Sequence, residues 1–82
     1  MSYEKVIQAS KTIIGTKQAV KAMKKGLVKE VYIALDIEER IIELARTTAQ
    51  ENNVSINYVE SKVDLGKACG LRLAASVVAI TV

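Results

Sequence analysis

The 82-residue sequence has no histidine, no proline, no phenylalanine and no tryptophan, and its single cysteine is Cys69. One thiol cannot close a disulfide within the chain, and without histidine the usual zinc ligand sets cannot be assembled. The missing imidazole also removes the side chain that most often shuttles protons near neutral pH. Tyr3, Tyr32 and Tyr58 are the only aromatics, so the core must be built from Ile, Val, Leu and Ala. That scarcity argues against stacking single-stranded bases on aromatic platforms, while a folded RNA or a duplex backbone stays open. Long apolar runs are lacking too. The stretch Leu73 to Val82 is far below the roughly 20 residues of a membrane helix. Met1 to Lys5 leads into an amphipathic segment rather than the apolar core of a signal peptide. The absence of proline excludes little. A reducing cytoplasm is the expected compartment, with no membrane partner.

Half of the residues are hydrophobic and about a quarter are charged, as expected of a globular chain and not of a disordered one. The length suits one domain, residues 1–82, with a modest core. The net charge of +3 is unevenly spread. Residues 1–29 hold seven lysines against Glu4, residues 30–64 hold eight acids against three bases, and Lys67 and Arg72 follow. Such a two-signed chain can steer one face towards a polyanion. The same pattern also describes lysines that merely solvate two surface helices.

Helical and extended patterns alternate without a linker or a repeat. Residues 3–11 suggest an amphipathic helix. Thr12-Ile13-Ile14 is a β-branched run stopped by Gly15, so a strand is expected. Residues 16–25 form a lysine-rich helix that buries Ala19, Val20, Ala22 and Met23, with Gly26 as its left-handed cap. Glu30 to Leu35 is a second strand, buried on both faces. Asp36 and Glu39 stand at capping-box spacing and open a helix to about Gln50, which buries Ile37, Ile41, Leu44, Ala45 and Thr48. Asn52-Asn53 is a turn, and a third strand ends at Val59. Ser61 and Asp64 repeat the capping spacing before a short helix that stops at Gly70. Ser76 to Thr81 is the last strand. This alternation implies an α/β fold, a three-layer α/β/α sandwich around a central four-stranded mixed sheet.

Three features could carry chemistry. A helix that starts just after Gly15 offers unpaired N–H groups and a partial positive charge, and Lys17, Lys21 and Lys24 share one of its faces. Neither phosphate-loop pattern, G-x-x-x-x-G-K-[ST] nor G-x-G-x-x-G, occurs, so an extended nucleic-acid backbone fits better than a buried triphosphate. Gln18 can both donate to and accept from a base edge, or simply be solvated. The second feature, Leu71-Arg72-Leu73-Ala74-Ala75, is a loop whose leucines either meet a partner or pin it to the core. The third, Cys69, has no activating histidine and reads as a small buried apolar residue. The acids Glu38, Glu39 and Glu43 lie among Arg40 and Arg46 at helical spacing and read as a solvated face, not as paired catalytic carboxylates. No enzymatic constellation can be assembled.

Gly15-Thr16-Lys17-Gln18-Ala19-Val20-Lys21-Ala22, the strand Val31-Tyr32-Ile33-Ala34, and Ser61 to Gly70 together resemble the L-seven-Ae/L-thirty-e superfamily of ribosomal proteins. The resemblance is closest to its small bacterial members of the YbxF type and covers essentially the whole chain. It implies an α/β/α sandwich that binds a kink-turn, an RNA motif in which a short bulge sharply bends two helices. It further implies that Gly15, Thr16, Lys17, Gln18 and Lys21 enter the widened major groove beside sheared G·A pairs. The loop carrying Leu71, Arg72, Leu73 and Ala74 would then pack against the bulge and its flipped-out nucleotide. Kinking brings phosphate backbones together, and lysines there relieve their repulsion. Archaeal and eukaryotic relatives carry Asn-Glu where this chain has Lys17-Gln18, an exchange that favours backbone binding over base readout. Arg72 stands where they usually have an acid, and Ala74 where they often have proline. The expectation is a monomeric, cofactor-free, non-enzymatic protein that stabilises kink-turns in ribosomal or regulatory RNA, with no DNA partner. The alternative is a protein-interaction module of the same fold that associates with the ribosome.

Overall fold

The computed structural model describes residues 11–82. The helix expected over 3–11 therefore lies, apart from Lys11, outside the described residues. Seven elements follow: β1 (Thr12–Ile14), α1 (Thr16–Lys24), β2 (Val28–Ala34), α2 (Glu39–Glu51), β3 (Ser55–Val59), α3 (Lys62–Ala68) and β4 (Val77–Thr81). The strands form one mixed sheet in the order β1-β4-β2-β3. β4 runs antiparallel to both β1 and β2, whereas β2 and β3 are parallel and joined through α2. The expected mixed four-stranded sheet is thus present.

Alternation along the strands divides the core in two. Val31, Ile33, Val77 and Ala79 point to one face, where Ala19, Val20, Ala22 and Met23 of α1 and Ile42, Ala45 and Ala49 of α2 cover them. Tyr32, Ala34, Val78 and Ile80 point to the other, where Leu65 of α3 and the buried Ala75 lie. Helices therefore flank the sheet on both sides. α1 buries all four residues its sequence pattern selects. It closes as expected at Gly26, whose N–H donates to the Met23 carbonyl while that of Leu27 donates to Ala22, both at 3.1 Å.

Three local expectations need correction. β2 starts at Val28, two residues early, because Val28 is drawn into the sheet opposite Thr81. It ends at Ala34, so Leu35 lies outside the strand and is 47% exposed. Asp36 does not cap α2. That helix starts at Glu39, with Glu38 in the cap position and no side-chain cap bond. Asp36 Oδ1 instead accepts from the Lys62 N–H at 2.9 Å, across 26 residues of sequence. α2 buries Ala45 and Thr48 as expected and Ile42 and Ala49 besides, while Ile37 and Ile41 pack only partly and Leu44 is 47% exposed. Ser61 does cap α3, its Oγ accepting from the Asp64 N–H at 3.1 Å.

Candidate nucleic-acid interface

Gly15 turns the chain from β1 into α1 at φ 108° and ψ 144°, a region open essentially to glycine alone. Its N–H donates to the Val77 carbonyl and its own carbonyl accepts from Ala19, each at 2.9 Å. The helix start is thereby tied to the start of β4. Among the described residues no side chain caps this terminus and no acid stands in its first turn, so its dipole has no counter-charge within the helix start. Burial of Ala19, Val20, Ala22 and Met23 fixes the rotation of α1 and leaves Lys17, Gln18, Lys21 and Lys24 exposed. Thr16 is half-buried at the turn.

The loop from Leu71 to Ser76 leads directly into β4, beside the same terminus. Ala34 donates its N–H to the Ser76 carbonyl at 2.9 Å, extending the β2–β4 ladder to this rim. Lys62 anchors the loop from the other side: its N–H is held by Asp36 and its carbonyl accepts from the Ala75 N–H at 2.9 Å. Within the loop the two leucines divide. Leu71 packs partly against the α3-side core, and its N–H donates to the Gly66 carbonyl. Leu73 projects outward, 79% exposed, between exposed Arg72 and Ala74. Sheet topology therefore brings Gly15, Thr16, Lys17 and Gln18 to the same end as Arg72, Leu73 and Ala74, with Lys21 one turn along α1.

Asp36, expected as the cap of α2, and Gly66 set this arrangement in roles that the sequence pattern did not assign to them. Asp36 links the end of β2 to α3, and no local pattern shows it. Gly66 had a readable signal, since glycine inside a helix costs about 1 kcal/mol relative to alanine. A Cβ there would lie 2.0 Å from the Leu73 carbonyl oxygen and 3.2 Å from Ala74 Cα. Only a glycine lets the loop cross α3 this closely.

The remaining candidates stay outside the rim. Glu43 forms an ion pair with Arg46, and Arg40 one with Glu38 at 3.2 Å. Hydrogen bonds that the Arg46 guanidinium donates to Tyr58 and to Glu43 raise its pKa above the ordinary value. These groups are engaged with one another, as a solvated helix face would be. Cys69 is half-buried, and burial pushes its thiol pKa up, opposite to what a nucleophile needs. Among the described residues no group of acids, cysteines or histidines could hold a metal, and no helix is long and apolar enough to cross a membrane.

Comparison with known proteins bears on this geometry. The model of the ribosomal protein L7Ae/L30e/S12e/Gadd45 family matches residues 2–82. The chain is 50% identical over 80 residues to a protein named RNA-binding protein from Geobacillus thermodenitrificans, covering 98% of each chain. It is 49% identical over the same length and coverage to RNA-binding protein YbxF of Geobacillus stearothermophilus. A more distant RNA-binding protein from Staphylococcus aureus is 33% identical over 82 residues, again covering 98% of both.

Proposed function

Because the chain belongs to the ribosomal protein L7Ae/L30e/S12e/Gadd45 family, we propose that it is a non-enzymatic RNA-binding protein that recognises and stabilises kink-turns. The observation that carries this reading is the single rim formed by an uncapped, acid-free helix start and the Leu71–Ala74 loop. An ordinary A-form major groove is too narrow for side chains, so a helix terminus with Lys17 and Gln18 needs a groove opened by a kink. In this reading Lys17 and Lys21 meet phosphates, Gln18 meets a base edge, and Leu73 packs on the nucleotide that the bulge turns out. The N–H groups around Gly15 and Thr16 add donors for backbone oxygens. The protein acts as one domain, as a monomer, in the cytoplasm, on ribosomal or regulatory RNA.

The test is a pair of binding isotherms at one salt concentration, for a kink-turn RNA and for an unbent duplex of equal length. The expected result is clear preference for the kink-turn, and equal affinities would refute the reading. The exposure of Leu73 favours one second reading, a protein-docking module on the ribosome. That reading predicts partner capture that survives both nuclease and the loss of Lys17 and Lys21.

A further inference from the structure

Asp36 stands at a junction outside both halves of the rim. The Leu35 N–H donates to the Val59 carbonyl at 2.8 Å, so Asp36 follows directly on a bond that ties the end of β2 to the end of β3. Its Oδ1 accepts from the Lys62 N–H at 2.9 Å, and the carbonyl of the same Lys62 accepts from the Ala75 N–H at 2.9 Å. The two backbone groups of one residue thus join the end of the sheet to the downstream foot of the loop. Its upstream foot is set by α3, through the bond from the Leu71 N–H to the Gly66 carbonyl. Between these feet, no backbone hydrogen bond among the described residues holds Arg72, Leu73 or Ala74. The place of exposed Leu73 therefore depends on where the first turn of α3 is held.

We propose that Asp36 is a positioning residue for RNA binding. Through the main chain of Lys62 it fixes where Leu73 stands, and it acts on the RNA through the loop rather than by contact. The inference rests on the RNA-binding reading above. Two properties of Asp36 pull in opposite directions. Its exposed carboxylate, at the end of the sheet that carries Gly15 and the loop, repels a polyanion. Its acceptor oxygen makes a charge-assisted bond to a backbone donor, the stronger kind. The charge opposes binding, and the hydrogen bond supports it.

The test compares Asp36→Ala with Asp36→Asn in the full chain. Both remove the charge, and only asparagine keeps an acceptor oxygen for the Lys62 N–H, so their difference isolates the hydrogen bond. Asp36→Asn should bind a kink-turn RNA within about 3-fold of the native protein. Asp36→Ala should bind it roughly 10-fold more weakly. In the free protein, amide exchange at Lys62 and Ala75 should quicken in Asp36→Ala alone, while the Ala19 and Ile42 amides stay as protected as in the native protein. Leu73→Ala should weaken the native protein but add little to Asp36→Ala, a coupling that a general loss of stability would not produce. Native affinity in Asp36→Ala, or fully additive losses with Leu73→Ala, would overturn the proposal. So would equal losses in both variants with Ala75 still protected in Asp36→Asn, which would make Asp36 a direct RNA contact. Equal native affinities for kink-turn and duplex would refute the kink-turn reading, whereas a gap between the two variants on either RNA would uphold the positioning role.

Discussion

α1 and α2 lie side by side on one face of the sheet and bury similar apolar stripes, yet they treat charge in opposite ways. α2 has Glu39 in its first turn, a favourable charge for its dipole, and pairs Glu43 with Arg46. α1 has no acid in its first turn, no cap on its N-terminus and lysines along its open flank. α2 pairs some of its charges with one another, whereas Lys17, Lys21 and Lys24 of α1 stand exposed. The lesson is that a charged helix face is informative by what fails to neutralise it, not by its charge count.

The comparison breaks most sharply under charge reversal. Lys17→Glu with Lys21→Glu should weaken kink-turn binding by at least about 100-fold, since two phosphate contacts are lost and repulsion is added. Glu39→Lys with Glu43→Lys on α2 should leave that affinity intact, while lowering stability by about 1 kcal/mol. Isotherms and thermal melts of both double variants read this directly, and equal losses of affinity would erase the distinction between the helices.

Next in size is Gly66→Ala, which tests whether the loop half of the rim depends on close approach to α3. The added methyl meets the Leu73 carbonyl. The overlap should exceed the helix-propensity gain and cost about 2 kcal/mol net, or roughly 10 °C in Tm. Weaker RNA binding should accompany it. An unchanged melt together with unchanged affinity would show that the contact is not tight.

Gln18→Ala sharpens the comparison within α1 itself. Its effect should fall on discrimination, narrowing the ranking among kink-turns with altered G·A pairs by about 1–3 kcal/mol while the salt slope stays as it was. A lowered slope with the ranking preserved would make Gln18 a backbone contact. The smallest effect concerns Cys69. Its raised pKa means less thiolate at any pH below that value, so alkylation near pH 8 should be slower in the folded protein than in denaturant. Equal rates would contradict its burial.

Much of α1 was legible in the sequence because its determinants are local. Gly15 and Gly26 bracket it, and the spacing of Ala19, Val20, Ala22 and Met23 fixes its buried face. Ser61 and Asp64 were legible for the same reason. Asp36 was not: its capping spacing to Glu39 is real, but the backbone N–H of Lys62, the first residue of α3 and 26 residues away, takes its carboxylate. On α2 the sequence pattern found Ala45 and Thr48 but missed Ile42 and Ala49, and it put Leu44 inside where the helix leaves it exposed. Leu71 and Leu73 could not be separated by pattern either. Their different fates follow from Gly66 and Lys62, which fix the loop at residues 71 and 75 and leave its middle exposed. The adjacency of the rim's two halves is a property of β4 lying between β1 and β2, a register that no single segment encodes.

The central claim is that this rim holds RNA bent. It is tested most directly by labelling the two arms of a kink-turn RNA with a donor and an acceptor dye and adding protein under conditions where the free RNA is extended. The account predicts that energy transfer rises on saturation with the native protein, and that Lys17→Glu/Lys21→Glu abolishes the rise. Saturable binding with the arms still extended would contradict it.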